Sequence, residues 1–270
     1  MSRPYAIMLS QKKTGSTSFK HALDIAYRHI PGRSGREDTR LRCKQLYSQG
    51  KYDKIVELAN RWNVIKDTPW NQGDMYKRLA EAYPKALFYL NVRDPDSWYE
   101  SKLGFIRESY NPSIDIDPAA QFMRKTHAYA NEYNIKDFRD ADSAKQAYVN
   151  RNEEIQSYFE QHSSIQFYCI NNSEQMTWST IQRTTQIDET VLRENILEWQ
   201  KYTEMKTNRM PKGRGETMLA GYGTVQTLIK NENDNISEWN FPRLNVRSKS
   251  GINTYDFKYA GWVEEETRSD

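Results

Sequence analysis

With 270 residues, 37% of them hydrophobic, the chain can bury a sizeable core, and its 18 Tyr, 9 Phe and 7 Trp exclude extended disorder. A net charge of +3 is too mild to call for nucleic acid or an anionic membrane as partner. Cys43 and Cys169, the only cysteines, exclude a disulfide framework and a Cys-rich zinc site. Residues 1–9 run too soon into Lys12 and Lys13 to make a signal peptide or a membrane span, so free thiols in a cytoplasmic setting are expected. One domain over 1–270 is the expected organisation.

The charge is uneven. Residues 1–54 hold twelve Lys or Arg against four acids, a net of +8 that leaves −5 for the rest. This asymmetry points to a localised anion site in the first fifth of the chain, or to a solvated basic helix face.

In chain order, the apolar run 5–9 reads as a buried strand entering a polar turn. From Thr17, the residues Phe19, Ala22, Leu23, Ala26, Tyr27 and Ile30 keep helical spacing until Pro31 and Gly32. Residues 46–58 read as one helix, 62–66 as a second strand, and 72–83 as a further helix. Residues 86–92 give the strongest strand signal, nearly continuous in apolar residues as in a strand covered on both faces. Asp94 then caps a helix that has Pro95 at its first position. Helical patterns fill most of 118–161, and 165–170 is a fourth strand. This alternation implies an α/β fold, a parallel β-sheet flanked by helices. Residues 183–240 form a less regular stretch, expected as an insertion or lid, with a basic loop at 205–215 containing Lys206, Arg209, Lys212 and Arg214.

Two segments carry chemistry. Lys13, Thr14, Gly15, Ser16, Thr17 and Ser18 join the first strand to the first helix, so loop amides and hydroxyls converge at a helix N-terminus, where an anion is expected. The lysine precedes the glycine instead of following it, which is not the Walker A order. Arg93 ends the strongest strand, and Ser101 follows eight residues later, about two helical turns on, so both can reach one phosphate.

Taken together, these segments resemble the sulfotransferases that use 3′-phosphoadenosine 5′-phosphosulfate (PAPS), over about residues 5–178. The 13–18 loop is similar to the family's 5′-phosphosulfate loop. Tyr83, Pro84 and Ala86, an apolar strand, Arg93 and Ser101 resemble its 3′-phosphate segment. Residues 64–69 resemble the strand that ends in a Lys-Thr-His-x-Pro element, with Asp67 where many members carry the catalytic histidine. Residues 158–178 are similar to the helix, strand and Trp of bacterial members, and Phe241, Pro242 and Asn245 to another of their signatures.

The resemblance implies a P-loop NTPase-like sulfotransferase fold and a metal-independent transfer from PAPS that leaves 3′,5′-adenosine diphosphate (PAP). Lys13 would neutralise charge on the departing phosphate, Thr14 to Ser18 would hold the 5′-phosphosulfate, and Arg93 and Ser101 would grip the 3′-phosphate. Asp67 is the first candidate for general base and His21 its rival, while His29, His127 and His162 read as structural. Lys66 either contacts the sulfate or covers the sheet edge. Trp62, Trp70, Tyr76, Trp98 and Phe105 read as core. The acceptor, whether sugar, lipid, polyketide or small alcohol, is not legible. A kinase-like nucleotide enzyme and a non-catalytic anion-binding module are the alternatives.

Overall fold

The structure, a computed structural model, describes residues 4–28, 37–66, 68–108, 117–172 and 174–208. Four strands, β1 (Ala6–Met8), β2 (Val64–Ile65), β3 (Leu87–Val92) and β4 (Phe167–Asn171), form one parallel sheet in the order β2-β1-β3-β4. β1 sits between β2 and β3, with Ala6 opposite both Val64 and Leu87, and Val92 of β3 lies opposite Asn171 of β4. The expected α/β fold with a parallel sheet is therefore the observed one.

Successive side chains of a strand point to opposite faces, and here that alternation divides the core in two. Ala6, Met8, Val64, Leu87 and Tyr89 face one cluster, while Ile7, Leu9, Ile65, Phe88 and Leu90 face the other. On the first face lie α1 (Ser16–Ala26), α8 (Trp178–Thr185) and α9 (Glu189–Asn208). On the second lie α2 (Glu37–Ser48), α3 (Tyr52–Ala59), α4 (Met75–Ala82) and part of α7 (Ala141–Gln161). A third cluster, centred on Trp98, joins α5 (Pro95–Glu108), α6 (Pro118–Glu132) and α7.

The helix boundaries have local causes. Residues 46–58, expected as one helix, are broken by Gly50 at φ 67°, whose N–H donates to the Tyr47 carbonyl at 3.0 Å while Lys51 N–H reaches the Leu46 carbonyl at 2.9 Å. This is a Schellman ending, which only a residue tolerant of positive φ supports. Asn134, at φ 53°, ends α6 in the same way, with Ile135 N–H on the Ala130 carbonyl at 2.9 Å. The first helix stops at Ala26, short of Ile30, because Arg28 turns to φ 55°. Asp94 caps α5 as expected, accepting from the N–H groups of Asp96 at 3.2 Å and Ser97 at 3.3 Å. Residues 29–36, which include His29, lie outside the described residues.

Within the stretch expected as an insertion or lid, α9 buries Leu192, Ile196 and Trp199 against α1. The amide of Asn195 donates to the Ala26 carbonyl at 2.8 Å, satisfying a free carbonyl at the end of α1. Arg28 returns the contact by donating to Asn195 Oδ1 at 2.5 Å. Lys206 falls in α9 and not in a loop, while Arg209, Lys212, Arg214 and Phe241 to Asn245 lie outside the described residues. Replacing Ile196 with Ala should cost about 2–5 kcal/mol in urea unfolding, the usual range for emptying a buried Ile site. A loss under about 0.5 kcal/mol would make α9 peripheral.

Candidate functional site

After β1 the chain enters α1 on one face of the sheet, and between β3 and β4 it runs through α7, part of which packs on the other. The carboxyl ends of neighbouring β1 and β3 therefore mark the switch in the order β2-β1-β3-β4. Such a switch point is where open α/β sheets bind ligands. The loop after β1 turns twice through left-handed backbone, at Lys13 (φ 75°) and Gly15 (φ 78°), before α1 begins at Ser16. Thr14 is fully buried, and its hydroxyl donates to the Gln11 carbonyl at 2.7 Å, which fixes the turn from inside. Thr14 thus offers a ligand its backbone N–H, not its hydroxyl.

Gly15 is required for two reasons. Its backbone lies where other residues are strained, and a Cβ would stand 2.2 Å from Asn172 Oδ1 and 3.1 Å from Met176 Cε. The end of β4 therefore lies directly over the loop, a proximity that the sequence reading missed. The N–H groups of Gly15, Ser16 and Thr17 have no acceptor among the described residues. Open donors at the first turn of an eleven-residue helix favour an anion through both hydrogen bonding and the helix dipole.

The segment after β3 holds the other side of the loop. Arg93 Nη1 reaches the Lys13 carbonyl at 3.5 Å, and Trp98 Nε1 donates to the Lys12 carbonyl at 3.1 Å. Tyr148 of α7 stacks on Trp98 with ring centroids 4.2 Å apart, and its hydroxyl accepts from Arg93 N–H at 2.9 Å and faces the Arg93 carbonyl at 3.2 Å. Lys13 Nζ lies 5.1 Å from the Phe105 ring centroid. Residues 98, 101 and 105 share one face of α5, so half-buried Ser101 sits between the two aromatics that touch the loop. The fold therefore gathers Lys13 to Ser18, Arg93 and Ser101, the residues singled out from sequence, at one strand edge.

Other expected residues lie as follows. Lys66, at the end of β2, donates to the Thr17 hydroxyl at 3.1 Å. Asp67 lies outside the described residues. Trp70, Tyr76 and Trp98 are buried as expected, and Trp62 packs edge-on against Trp70. Phe105 instead faces Lys13. Asn91 of β3, Gln11, Lys102 and Tyr133 were not singled out from sequence. Ser10 Oγ accepts from Asn91 N–H at 2.6 Å, Tyr133 donates to Gln11 Oε1 at 3.0 Å, and fully buried Lys102 lies 3.9 Å from the Tyr129 ring centroid. Cys43 and Cys169 are free thiols. Among the described residues, no helix is long and apolar enough to cross a membrane, and no three His, Cys, Asp or Glu side chains cluster as for a metal ion.

His21 is buried edge-on to Trp199, with ring centroids 5.4 Å apart. Burial, with Lys20 beside it, lowers its pKa from 6.5 to about 3. Lys20 forms an ion pair with Asp24, whose carboxyl is pushed above its ordinary range by burial, against the pull of Lys20. Above pH 6.5 the imidazole is neutral in the folded and unfolded chains alike. As pH falls from 6.5 towards 3, only the unfolded chain takes up that proton, so the folded state loses about 1.4 kcal/mol per pH unit. Asp24, protonating first in the folded chain, acts in the opposite sense. His21→Gln should therefore flatten the slope of unfolding free energy between about pH 6.5 and 4.5, measured by urea titration. An unchanged slope would mean that the imidazole is not held neutral.

No curated protein matches the chain. Residues 6–178, from the start of β1 to the first residue of α8, match the protein family described as sulfotransferase domain, and this span contains the loop, Arg93 and Ser101. With a parallel sheet that brings those residues to one edge and a family match over most of its length, the chain belongs to the sulfotransferase domain family.

Proposed function

We propose that the chain transfers the sulfuryl group of PAPS to a hydroxyl or amine of an acceptor, leaving PAP. The observation that carries this reading is the tie of Arg93 to the Lys13 carbonyl, which sets a β3 cation beside the open amides at the start of α1. A donor with phosphates at both ends of one ribose needs two such anion sites, whereas ATP needs only one of them. The lysine before the glycine, absent from Walker A loops, weighs against the kinase-like alternative. Cytoplasmic action on a small-molecule, glycan or lipid acceptor belongs to the same reading.

In this scheme Gly15, Ser16 and Thr17 present N–H groups to the 5′-phosphosulfate, with the Thr14 amide and Ser18 completing the cradle. Arg93 and Ser101 hold the 3′-phosphate. The acceptor oxygen attacks sulfur in line, the bond from sulfur to the bridging phosphate oxygen breaks, and Lys13 meets the negative charge that develops on that oxygen. The acceptor proton passes to Asp67. His21 is a poor rival, because a buried imidazole with a pKa of about 3 binds a proton weakly near neutrality. No metal is needed in this scheme, since Lys13, Arg93 and the loop amides supply the countercharge.

Calorimetry tests the donor assignment. Arg93→Ala should weaken PAP binding about tenfold or more beyond its effect on adenosine 5′-monophosphate, because loss of the tie to the Lys13 carbonyl touches both ligands whereas only PAP has the 3′-phosphate. Equal losses for both would remove Arg93 from that role. The base is tested separately: Asp67→Asn should slow sulfuryl transfer about 10²-fold with PAP affinity unchanged. A near-normal rate would assign the proton to another group.

A further inference from the structure

Beside the donor loop lies a cavity of about 570 Å³, within the size range that takes a small ligand. Its wall begins at Gln11, two residues before Lys13, and continues through Asn71 after β2, Tyr133 after α6, and Gln146, Asn150 and Arg151 on α7. Small-ligand pockets are ordinarily lined by apolar and aromatic side chains with a few polar groups, and here the amides of Gln11, Asn71, Gln72, Asn134, Gln146 and Asn150 stand among apolar surface from residues such as Tyr133 and Ile135.

The wall is fixed in place by its own hydrogen bonds. Arg151 donates to Glu154 at 2.7 Å and to the Gly73 carbonyl, and Tyr76 donates to the other Glu154 oxygen at 3.0 Å. Asn71 donates to the Ser10 carbonyl at 3.0 Å. Tyr133 occupies Gln11 Oε1, and Gln146 Nε2 donates to Asn150 Oδ1 at 2.7 Å. Gln11 Nε2, Gln146 Oε1 and Asn150 Nδ2 are left without a partner among the described residues. One acceptor and two donors thus line the cavity, one donor on buried Gln11 and the other two groups on exposed Gln146 and Asn150. A hydroxyl both donates and accepts, so several hydroxyls on one ligand fit this mixture better than an apolar ring does. Arg151 is already neutralised by Glu154, and Glu132 adds a negative charge to the lining, so the cavity does not favour a polyanion.

We infer that this cavity is the acceptor cleft and that the acceptor is a neutral, polyhydroxylated molecule of the saccharide class. This rests on the sulfotransferase reading above, and the test keeps the two apart. Radiolabelled PAPS is offered with chitotriose and maltotriose in one arm and with 4-nitrophenol and 1-dodecanol in the other, while PAP binding is measured by calorimetry. The label should pass to a saccharide. In a Gln146→Leu, Asn150→Leu double variant, kcat/KM for that saccharide should fall about tenfold or more with PAP affinity unchanged. Both positions are exposed on α7, so folding should survive.

Label passing only to 4-nitrophenol or 1-dodecanol, or to neither arm while PAP binds, would overturn the acceptor class and leave the donor reading standing. Saccharide transfer undiminished in the double variant would move the acceptor out of this cavity. A chain that bound no PAP would end both proposals.

Discussion

The site depends on where two backbone carbonyls point. Those of Lys12 and Lys13 are held by Trp98 and Arg93, which turns the loop's acceptors towards the segment after β3. With the Lys12 and Lys13 carbonyls engaged there and Thr14 locked inwards, the N–H groups of Gly15, Ser16 and Thr17 stay open where α1 begins. The parallel pairing of β1 with β3 makes this possible, because parallel strands bring their carboxyl ends to one edge and adjacency sets these two ends side by side. Tyr148 reinforces the arrangement by gripping both backbone polar groups of Arg93 while stacking on Trp98. Loop, cation and aromatic support thus form one mechanical unit.

α1 carries an unusual load for a helix whose first turn leaves its N–H groups open. Lys20, His21 and Asp24 are all buried, and burying charge is costly unless it is paired. Lys20 and Asp24 meet that requirement in one turn, and His21 meets it by staying neutral against Trp199. A helix enclosed on nearly every side cannot shift easily, so its N-terminal donors keep their direction. The polar interior of α1 therefore costs stability and limits movement at the same point.

Local signals were the legible ones. The β3 strand was written as a nearly continuous apolar run interrupted only by Asn91, and the start of α5 as Asp94 and Pro95, while the role proposed for Arg93 with Ser101 rests on an eight-residue spacing. What escaped was either a weak local cue or a long-range contact. Gly50 ends α2 inside an otherwise continuous helical pattern, and the stripe Leu192, Ile196, Trp199 is interleaved with Arg193, Glu194 and Glu198. The partners of the loop, Trp98 and Asn172, lie far along the chain from it, as does Tyr148, which supports Trp98 and Arg93, and no spacing rule links residues that meet only after the sheet has formed.

The family match ends at Trp178, but the folded unit does not end there. Beyond that residue, Ile181, Leu192, Ile196 and Trp199 complete the core on the α1 face, and Asn195 closes the last turn of α1. A fragment cut at the family boundary would expose a broad apolar strip along α1, and such strips drive self-association. For expression, limited proteolysis or domain grafting, a fragment should therefore retain α9.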